Sequence, residues 1–399
     1  MLRGMGGAAV LRLKRRGERA PGHPWIFKGE VADVSDVEAG TAVTVVDSAR
    51  GFVGRGFYNP RPALCCRILT RRDEPLDDRF WRRRIDAALA YRQSIVGETT
   101  ATRLVWSEAD GLPGLVVDRY ADVLVVQCLT LGMDRARAEV VKVLRAVVGE
   151  LPVFNADEAV PAGLEGFAAR RGWLDAAGPS RVVIDEAGAA GVVRFGVTFG
   201  AGHKTGLYLD QRDNRRRVGT LAAGRDVLDA FGYTAGFACH ALVAGARRAV
   251  CIESSGEAAS AALENLALNG VAERAEVATT NAFDELRRLE RARERFGLVV
   301  LDPPPFARGR SAVEGARRGY KEINLRSMRL LEPGGILATF SCSHHVSTQD
   351  FEDICRDAAA DASVTLRTLA PLTQSADHPI LLSVPETHYL KGLLLERVT

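Results

Sequence analysis

The sequence contains no CxxC pair. Its seven cysteines are scattered, at Cys65, Cys66, Cys128, Cys239, Cys251, Cys342 and Cys355, so a zinc ribbon and a disulfide framework are both excluded and reduced thiols are expected. No apolar run approaches the ~18–20 residues that span a bilayer. The N-terminal stretch is broken by Arg12, Lys14, Arg15 and Arg16 and lacks a cleavable apolar core, so a soluble, cytoplasmic chain is expected. Aromatic residues are 7% of the chain, and only six of the 53 basic residues are lysine. The closest approach to a metal-ligand cluster is His344-His345, and adjacent side chains rarely ligate one ion, so no metal is expected. Neither an internal repeat nor a low-complexity tract occurs.

What remains is globular in composition: 399 residues, 47% hydrophobic and 26% charged, enough for two or three domains. The net charge of +3 is unevenly placed. Residues 1–72 hold 13 basic against 6 acidic side chains, and the remainder is slightly acidic. A basic end on a near-neutral body is the outline of a protein that docks on phosphate backbone. Within that basic end, short strands at Ala42–Asp47 and Ala63–Leu69, with turns at Gly51, Gly54, Gly56, Asn59, Pro60 and Pro62, predict a small β-barrel. Helical spacing over 79–97, strands at Arg103–Ser107, Leu115–Asp118 and Val123–Cys128, and a helix over 135–148 predict a compact α+β unit over 73–185. Within 186–399, from about 203 onward, the rhythm becomes strand-helix-strand-helix: strands Asp226–Phe231, Arg248–Glu253, Glu276–Thr279, Leu298–Asp302 and Ile336–Ser341. Near-continuous apolar strands of this kind predict a parallel, doubly wound α/β sheet.

Three strand ends carry chemistry. Asp229-Ala230-Phe231-Gly232-Tyr233-Thr234-Ala235-Gly236 follows the first strand, and Glu253 closes the second, 21 residues after Gly232. The loop is not GxGxxG, since Thr234 and Ala235 stand where a pyrophosphate needs bare backbone, while Glu253 is placed to accept from ribose hydroxyls. A nucleoside cofactor without phosphates fits, S-adenosylmethionine being the commonest, with Asp229 toward its ammonium end. The run Asp302-Pro303-Pro304-Pro305-Phe306 freezes an extended loop whose carbonyls suit a nucleobase edge, with Phe306 available for stacking. Cys342, in Ser341-Cys342-Ser343, stands at the crest of the next strand, where a thiol can be held as thiolate.

Together, Gly202–Arg212, the Asp229–Phe237 loop, Asp302–Phe306, Gly319–Glu322, Ser341–Ser343 and Asp377-His378-Pro379 resemble the bacterial 23S ribosomal RNA cytosine-5 methyltransferases. Gly22–Phe27 and Gly54–Pro60 are similar to the N-terminal PUA domain of that family. The resemblance spans nearly the whole chain and is least distinctive between about 130 and 190. It implies a PUA domain (1–72), a central α+β domain (73–185) and a class I, Rossmann-like methyltransferase domain (186–399). Cofactor contacts then fall on Asp229, Phe231, Gly232, Tyr233, Gly236, Glu253, Ser254, Asn281, Ala282, Phe283 and Asp302, and substrate contacts on Lys204, Pro303, Pro304, Phe306 and Tyr320. Cys342 becomes the nucleophile and Asp302 its acid partner. Asn281 stands where the family has an acidic residue, Ala235 where a second glycine is common, and the Asp302–Phe306 loop holds no second thiol. The implied partner is 23S ribosomal RNA or an assembling large subunit, and a homodimer is compatible with the sequence. Two other readings stay open: methylation of a base nitrogen, which needs no thiol, and a non-catalytic RNA-binding assembly factor, which need not bind the cofactor.

Overall fold

The computed structural model describes residues 9–14, 22–174, 177–200, 206–306 and 312–398. Six strands come first: β1 (Val10–Leu13), β2 (Trp25–Phe27), β3 (Val31–Val34), β4 (Thr41–Val46), β5 (Phe52–Tyr58) and β6 (Leu64–Thr70). They form one sheet in the order β2-β6-β5-β4-β1-β3, closed over Leu11, Ile26, Val43, Val45 and Cys66. Bulges interrupt four of its pairings, and each increases local twist. The expected barrel is therefore a curled half-barrel, with β2 and β3 as edges among the described residues.

Helix α1 (Asp78–Ile95) starts where the Asp77 carboxylate caps two backbone N–H groups, and it buries Phe80, Trp81, Ile85 and Ala88. It lies against a five-stranded sheet built from β7 (Ala101–Trp106), β8 (Leu115–Tyr120), β9 (Val123–Cys128), β10 (Val153–Ala156) and β11 (Arg171–Trp173), with α2 (Leu131–Val148) and α3 (Ala159–Glu165) between strands. A hairpin, β12 (Arg181–Ala187) and β13 (Val192–Thr198), follows.

The last sheet carries β14 (Asp226–Ala230), β15 (Arg248–Glu253), β16 (Ala275–Thr279), β17 (Phe296–Leu301), β18 (Leu331–Ser341), β19 (Leu366–Thr373) and β20 (Lys391–Arg397). Its helices are α4 (Arg212–Gly219), α5 (Gly236–Val243), α6 (Gly256–Leu268), α7 (Ala282–Arg291), α8 (Val313–Leu330) and α9 (Thr348–Ala362). Strand order is β16-β15-β14-β17-β18-β20-β19. Val227, Leu298 and Val300 enter one core and Leu228, Val299 and Leu301 the other, so both faces are covered and the strands read as unbroken apolar runs. The sheet is mixed rather than wholly parallel: β20 runs antiparallel to both β18 and β19. The chain turns back through 374–390 without the crossover helix that a parallel return requires. Two chain directions leave the edge between β14 and β17, one toward β15 and β16, the other toward β18. That switch point opens a crevice at the carboxyl ends of the strands.

The hairpin is tied to this sheet by charge. Glu186 of β12, fully buried, accepts from Arg215 of α4 at 2.5 Å and meets His240 Nε2 of α5 at 3.1 Å. Burial pushes the carboxyl up, but Arg215 and His240 more than offset this and hold it at about 2. Glu186→Gln leaves the Arg215 cation buried and unpaired, and a loss of about 3–5 kcal/mol is expected in denaturant unfolding. A carboxylate with a depressed folded pKa stabilises above its unfolded value of ~4.3 and loses this contribution as pH falls toward about 2. The wild-type chain should lose stability on acidification through that window, and the variant should lose less.

Candidate active site

Register places the candidate residues along one rim. Ala230 of β14 pairs with Ile252 of β15 and Leu301 of β17, Glu253 pairs with Thr279 of β16, Leu301 with Thr339 of β18, and Ser341 with Lys391 of β20. Asn281, Glu253, Phe231, Asp302 and Cys342 therefore stand side by side at the carboxyl edge.

The turn after β14 is strained. Phe231, Tyr233 and Ala235 take φ of 65°, 51° and 60°, a left-handed conformation that costs a non-glycine residue ~1–2 kcal/mol. Gly232 between them is held against the sheet, and a Cβ there would lie 2.2 Å from Cys251 Sγ. At Gly236 a Cβ would lie 2.9 Å from Arg215 Cδ. Glu253 locks the turn: Oε2 accepts from the Tyr233 N–H at 3.0 Å and Oε1 from the Ser255 N–H at 2.7 Å, with the exposed Ser254 hydroxyl 3.4 Å from Oε1. A carboxylate fixed this way keeps lone pairs for further donors such as ribose hydroxyls. The Asn281 side-chain oxygen caps α7, accepting from the Phe283 and Asp284 N–H groups at 2.9 and 3.4 Å, so the acceptor expected at an adenine amino group already has two donors. Ala282 is buried beneath it. The Phe283 ring packs 6.3 Å from Phe231 and 5.8 Å from Phe306.

Three carboxylates converge behind this rim. Asp229 has no accessible surface. Its Oδ2 accepts from the Ala238 N–H at 3.0 Å and its Oδ1 has no partner. Burial, with Glu253 nearby, pushes it up to about 7. A Cβ on Gly232 would also lie 3.3 Å from Asp229 Cγ, so the turn packs directly on this buried carboxyl group. Burial, then Asp210, also pushes Asp302 up to about 7, against the lowering effect of the Gln211 side chain. Asp210, just before α4, accepts from the Tyr389 hydroxyl at 2.6 Å. A cleft with negative field, an orphaned buried acceptor and a glycine cradle repels phosphates and suits a cationic nucleoside such as a sulfonium.

Cys342 is the one cysteine of seven that is not buried, and its Sγ lies 3.8 Å from the Pro303 carbonyl oxygen. Burial pushes the thiols of Cys128 and Cys355, by contrast, up to about 12. Lys391 of β20, almost fully buried, donates to the Ser343 and Val346 carbonyls at 2.8 and 2.6 Å and clamps the loop that carries the thiol. Burial lowers this ammonium's pKa while Cys342 holds it up. Pro303 is buried and Pro304 exposed. Tyr320, expected at the substrate, has no accessible surface. Its hydroxyl meets Ser343 Oγ at 2.9 Å and its ring supports Phe306 at 4.6 Å, so it braces the loop from behind. Phe306 correspondingly belongs to an aromatic cluster rather than standing free. Lys204 lies outside the described residues. Sequence reasoning missed Lys391, which reaches the rim only through antiparallel pairing of β20, Tyr389, which precedes that strand and donates to Asp210, and Asp210 itself, whose carboxylate had no distinguishing mark. Asp377 and His378 serve the frame: Asp377 accepts from Arg212 and from the Arg103 N–H, and Trp106 lies between the His378 and Tyr389 rings.

Fold and rim define a class, an S-adenosylmethionine-dependent methyltransferase with an added RNA-binding fold. The family of that description matches residues 173–379, and the PUA-like domain matches residues 11–71. Ribosomal RNA large subunit methyltransferase I of Alteromonas mediterranea is 35% identical over 98% of this chain and 99% of its own length. The protein of the same name from Tolumonas auensis is 38% identical over 94% and 96%. The chain belongs to the ribosomal RNA large subunit methyltransferase I family. The fold recurs in a solved Streptococcus mutans protein described as an S-adenosylmethionine-dependent methyltransferase, with TM-score 0.81, 17% identity and 97% and 99% of the two chains covered. A second such structure, solved with S-adenosylhomocysteine, has TM-score 0.82, 18% identity and the same coverage.

Two outcomes are expected from this geometry. Gly232→Ala drives a methyl group into Cys251, and calorimetry should find S-adenosylmethionine bound at least about tenfold more weakly. Because a cation prefers an ionised neighbour, affinity for S-adenosylmethionine should rise as pH goes from about 6 to about 8 and Asp229 loses its proton, then level off. Titrations in two buffers should show proton release on binding at pH 6, with a smaller effect for S-adenosylhomocysteine, whose sulfur is uncharged.

Proposed function

We propose that the chain forms 5-methylcytosine in 23S ribosomal RNA, free or within an assembling large subunit, through a covalent bond between Cys342 and the target base. The observation that carries this reading is the partly exposed Cys342, its sulfur 3.8 Å from the Pro303 carbonyl oxygen, when the other six cysteines are buried. Relatives named for large-subunit ribosomal RNA support RNA as the substrate. Residues 1–72 then grip phosphate backbone, 73–185 brace the assembly and 186–399 carry the chemistry.

When bound, S-adenosylmethionine supplies an electrophilic methyl group. The residues assigned to hold it are Phe231, Gly232, Tyr233, Gly236, Glu253, Ser254, Asn281, Ala282, Phe283 and Asp302, with Asp229 providing negative field. Cytosine carbon-5 is too weak a nucleophile to take that methyl unaided. Addition of the Cys342 thiolate to carbon-6 pushes the ring electron pair toward carbon-5, and Asp302, protonated near neutral pH, donates to ring nitrogen as charge develops. Carbon-5 takes the methyl group. Water in the cleft takes the carbon-5 proton, the freed electron pair restores the carbon-5–carbon-6 double bond and expels Cys342 as thiolate, and ring nitrogen returns its proton to Asp302. Pro303 and Pro304 fix the loop against which the base edge rests, and the base leaves any stack to enter.

Cys342→Ala should abolish methylation, by about a thousandfold or more, while S-adenosylmethionine still binds. The wild-type chain should form a denaturant-stable adduct with RNA containing 5-fluorocytosine, because fluorine blocks proton loss. Full activity in the alanine variant would overturn the covalent route and favour methylation of a base nitrogen. Bisulfite mapping of rRNA from a deletion strain and its complemented parent would identify the cytosine.

A further inference from the structure

A cavity of about 710 Å³ lies between the end of β6, helix α1, the turn at Glu108–Gly111 and the segment Pro379–Leu381. Arg72, Arg83 and Arg84 reach it, as do Glu74, Glu108 and Asp110. All three acids are already engaged. Glu74 accepts from Arg83 and Thr70 at 2.6 Å, Glu108 from the Trp25 indole at 2.8 Å, and Asp110 from both terminal nitrogens of Arg92. Among the described residues no carboxylate lies within ion-pair distance of Arg72 or Arg84.

Arg84 is the sharper anomaly. Its guanidinium sits over the Phe80 ring at 5.7 Å and donates one hydrogen bond, at 2.7 Å to the Leu69 carbonyl, while its Nε is buried with no partner. Burial and the neighbouring Arg83 lower its pKa. Gly111, at φ +67°, leaves the space it occupies, and a Cβ there would lie 2.8 Å from Nη1. A half-buried planar cation, crowded by like charge and short of acceptors, is a site that lacks its anion.

We propose that this cavity is a phosphate site in which Arg84 and Arg72 hold one phosphodiester group of the substrate RNA. The guanidinium fork matches two phosphate oxygens, and the site joins the basic N-terminal sheet to the wall segment that continues from Asp377 and His378. That segment's far end carries Tyr389, the residue that fixes Asp210 beside Asp302. The proposal deepens the RNA reading above and rests on it for the identity of the ligand, but not for its chemistry.

The test uses the full chain and three variants: Arg84→Met, Arg84→Lys and the exposed Arg72→Gln, which leaves the buried contacts intact. Affinity for a 23S RNA fragment is measured across a salt series, with S-adenosylmethionine binding as the control for folding. The methionine and glutamine variants should each bind RNA about tenfold more weakly, with the log affinity–log salt slope reduced by about 0.7 for each phosphate no longer neutralised. Arg84→Lys should recover part of the affinity, and kcat at saturating RNA should hold while KM rises. Unchanged affinity and slope in both Arg84→Met and Arg72→Gln would overturn the site. Inorganic phosphate and a nucleoside monophosphate are titrated separately into the wild-type chain. Tight binding of either without competition from RNA would overturn RNA as the source and assign the cavity to a free anion. Because the phosphate titration requires no methyl transfer, loss of the cytosine reading alone would leave its result standing.

Discussion

The structure turns on two like charges brought together by chain topology. Asp229 and Asp302 end neighbouring parallel strands, β14 and β17, at the point where the sheet reverses its strand order. Neither can ionise cheaply there: burial, with Glu253 near the first and Asp210 near the second, lifts both toward neutrality. A cationic methyl donor relieves that cost and a phosphate aggravates it. The same field that favours a cationic cofactor disfavours a dinucleotide's pyrophosphate.

Strain and clamping then shape the rest of the rim. Three non-glycine residues at positive φ in the turn after β14 persist because Glu253 accepts from its backbone and Gly232 lies on Cys251. On the other side, Lys391 and Tyr320 hold the Cys342–Ser343 loop from beneath, through two carbonyls and one hydroxyl. The thiol stays partly accessible while the segment around it is fixed, the arrangement a nucleophile requires.

Buried ion pairs join the parts. Glu186 couples the hairpin to α4 and α5, and Asp377 couples α4 to β7. Such pairs contribute little net free energy against apolar replacements, yet removing one partner strands the other, which makes the relative placement of sheets and helices specific. The segment that follows Asp377 and His378 lines the arginine-bearing cavity at Pro379–Leu381 and meets Asp210 through Tyr389.

Much of this was legible in the residue order. Period-two and unbroken apolar runs located β9 and β15 to the residue, because burial on one or both faces leaves a one-dimensional trace. The Asp229–Gly236 turn and the Asp302-Pro-Pro run mark strand ends, since each breaks the pattern with residues only a turn demands. Other features required three dimensions. The half-barrel stays open because bulges coil the first sheet without pairing its edges, and bulges have no period. Tyr320 supports the loop from behind because α8 turns that face inward. Lys391 lies under Cys342 only because β20 runs back antiparallel to β18 and sets it opposite Ser341. Local sequence determines which residues are buried and where the chain bends; the pairing of distant strands, fixed by packing over the whole sheet, decides which charges become neighbours.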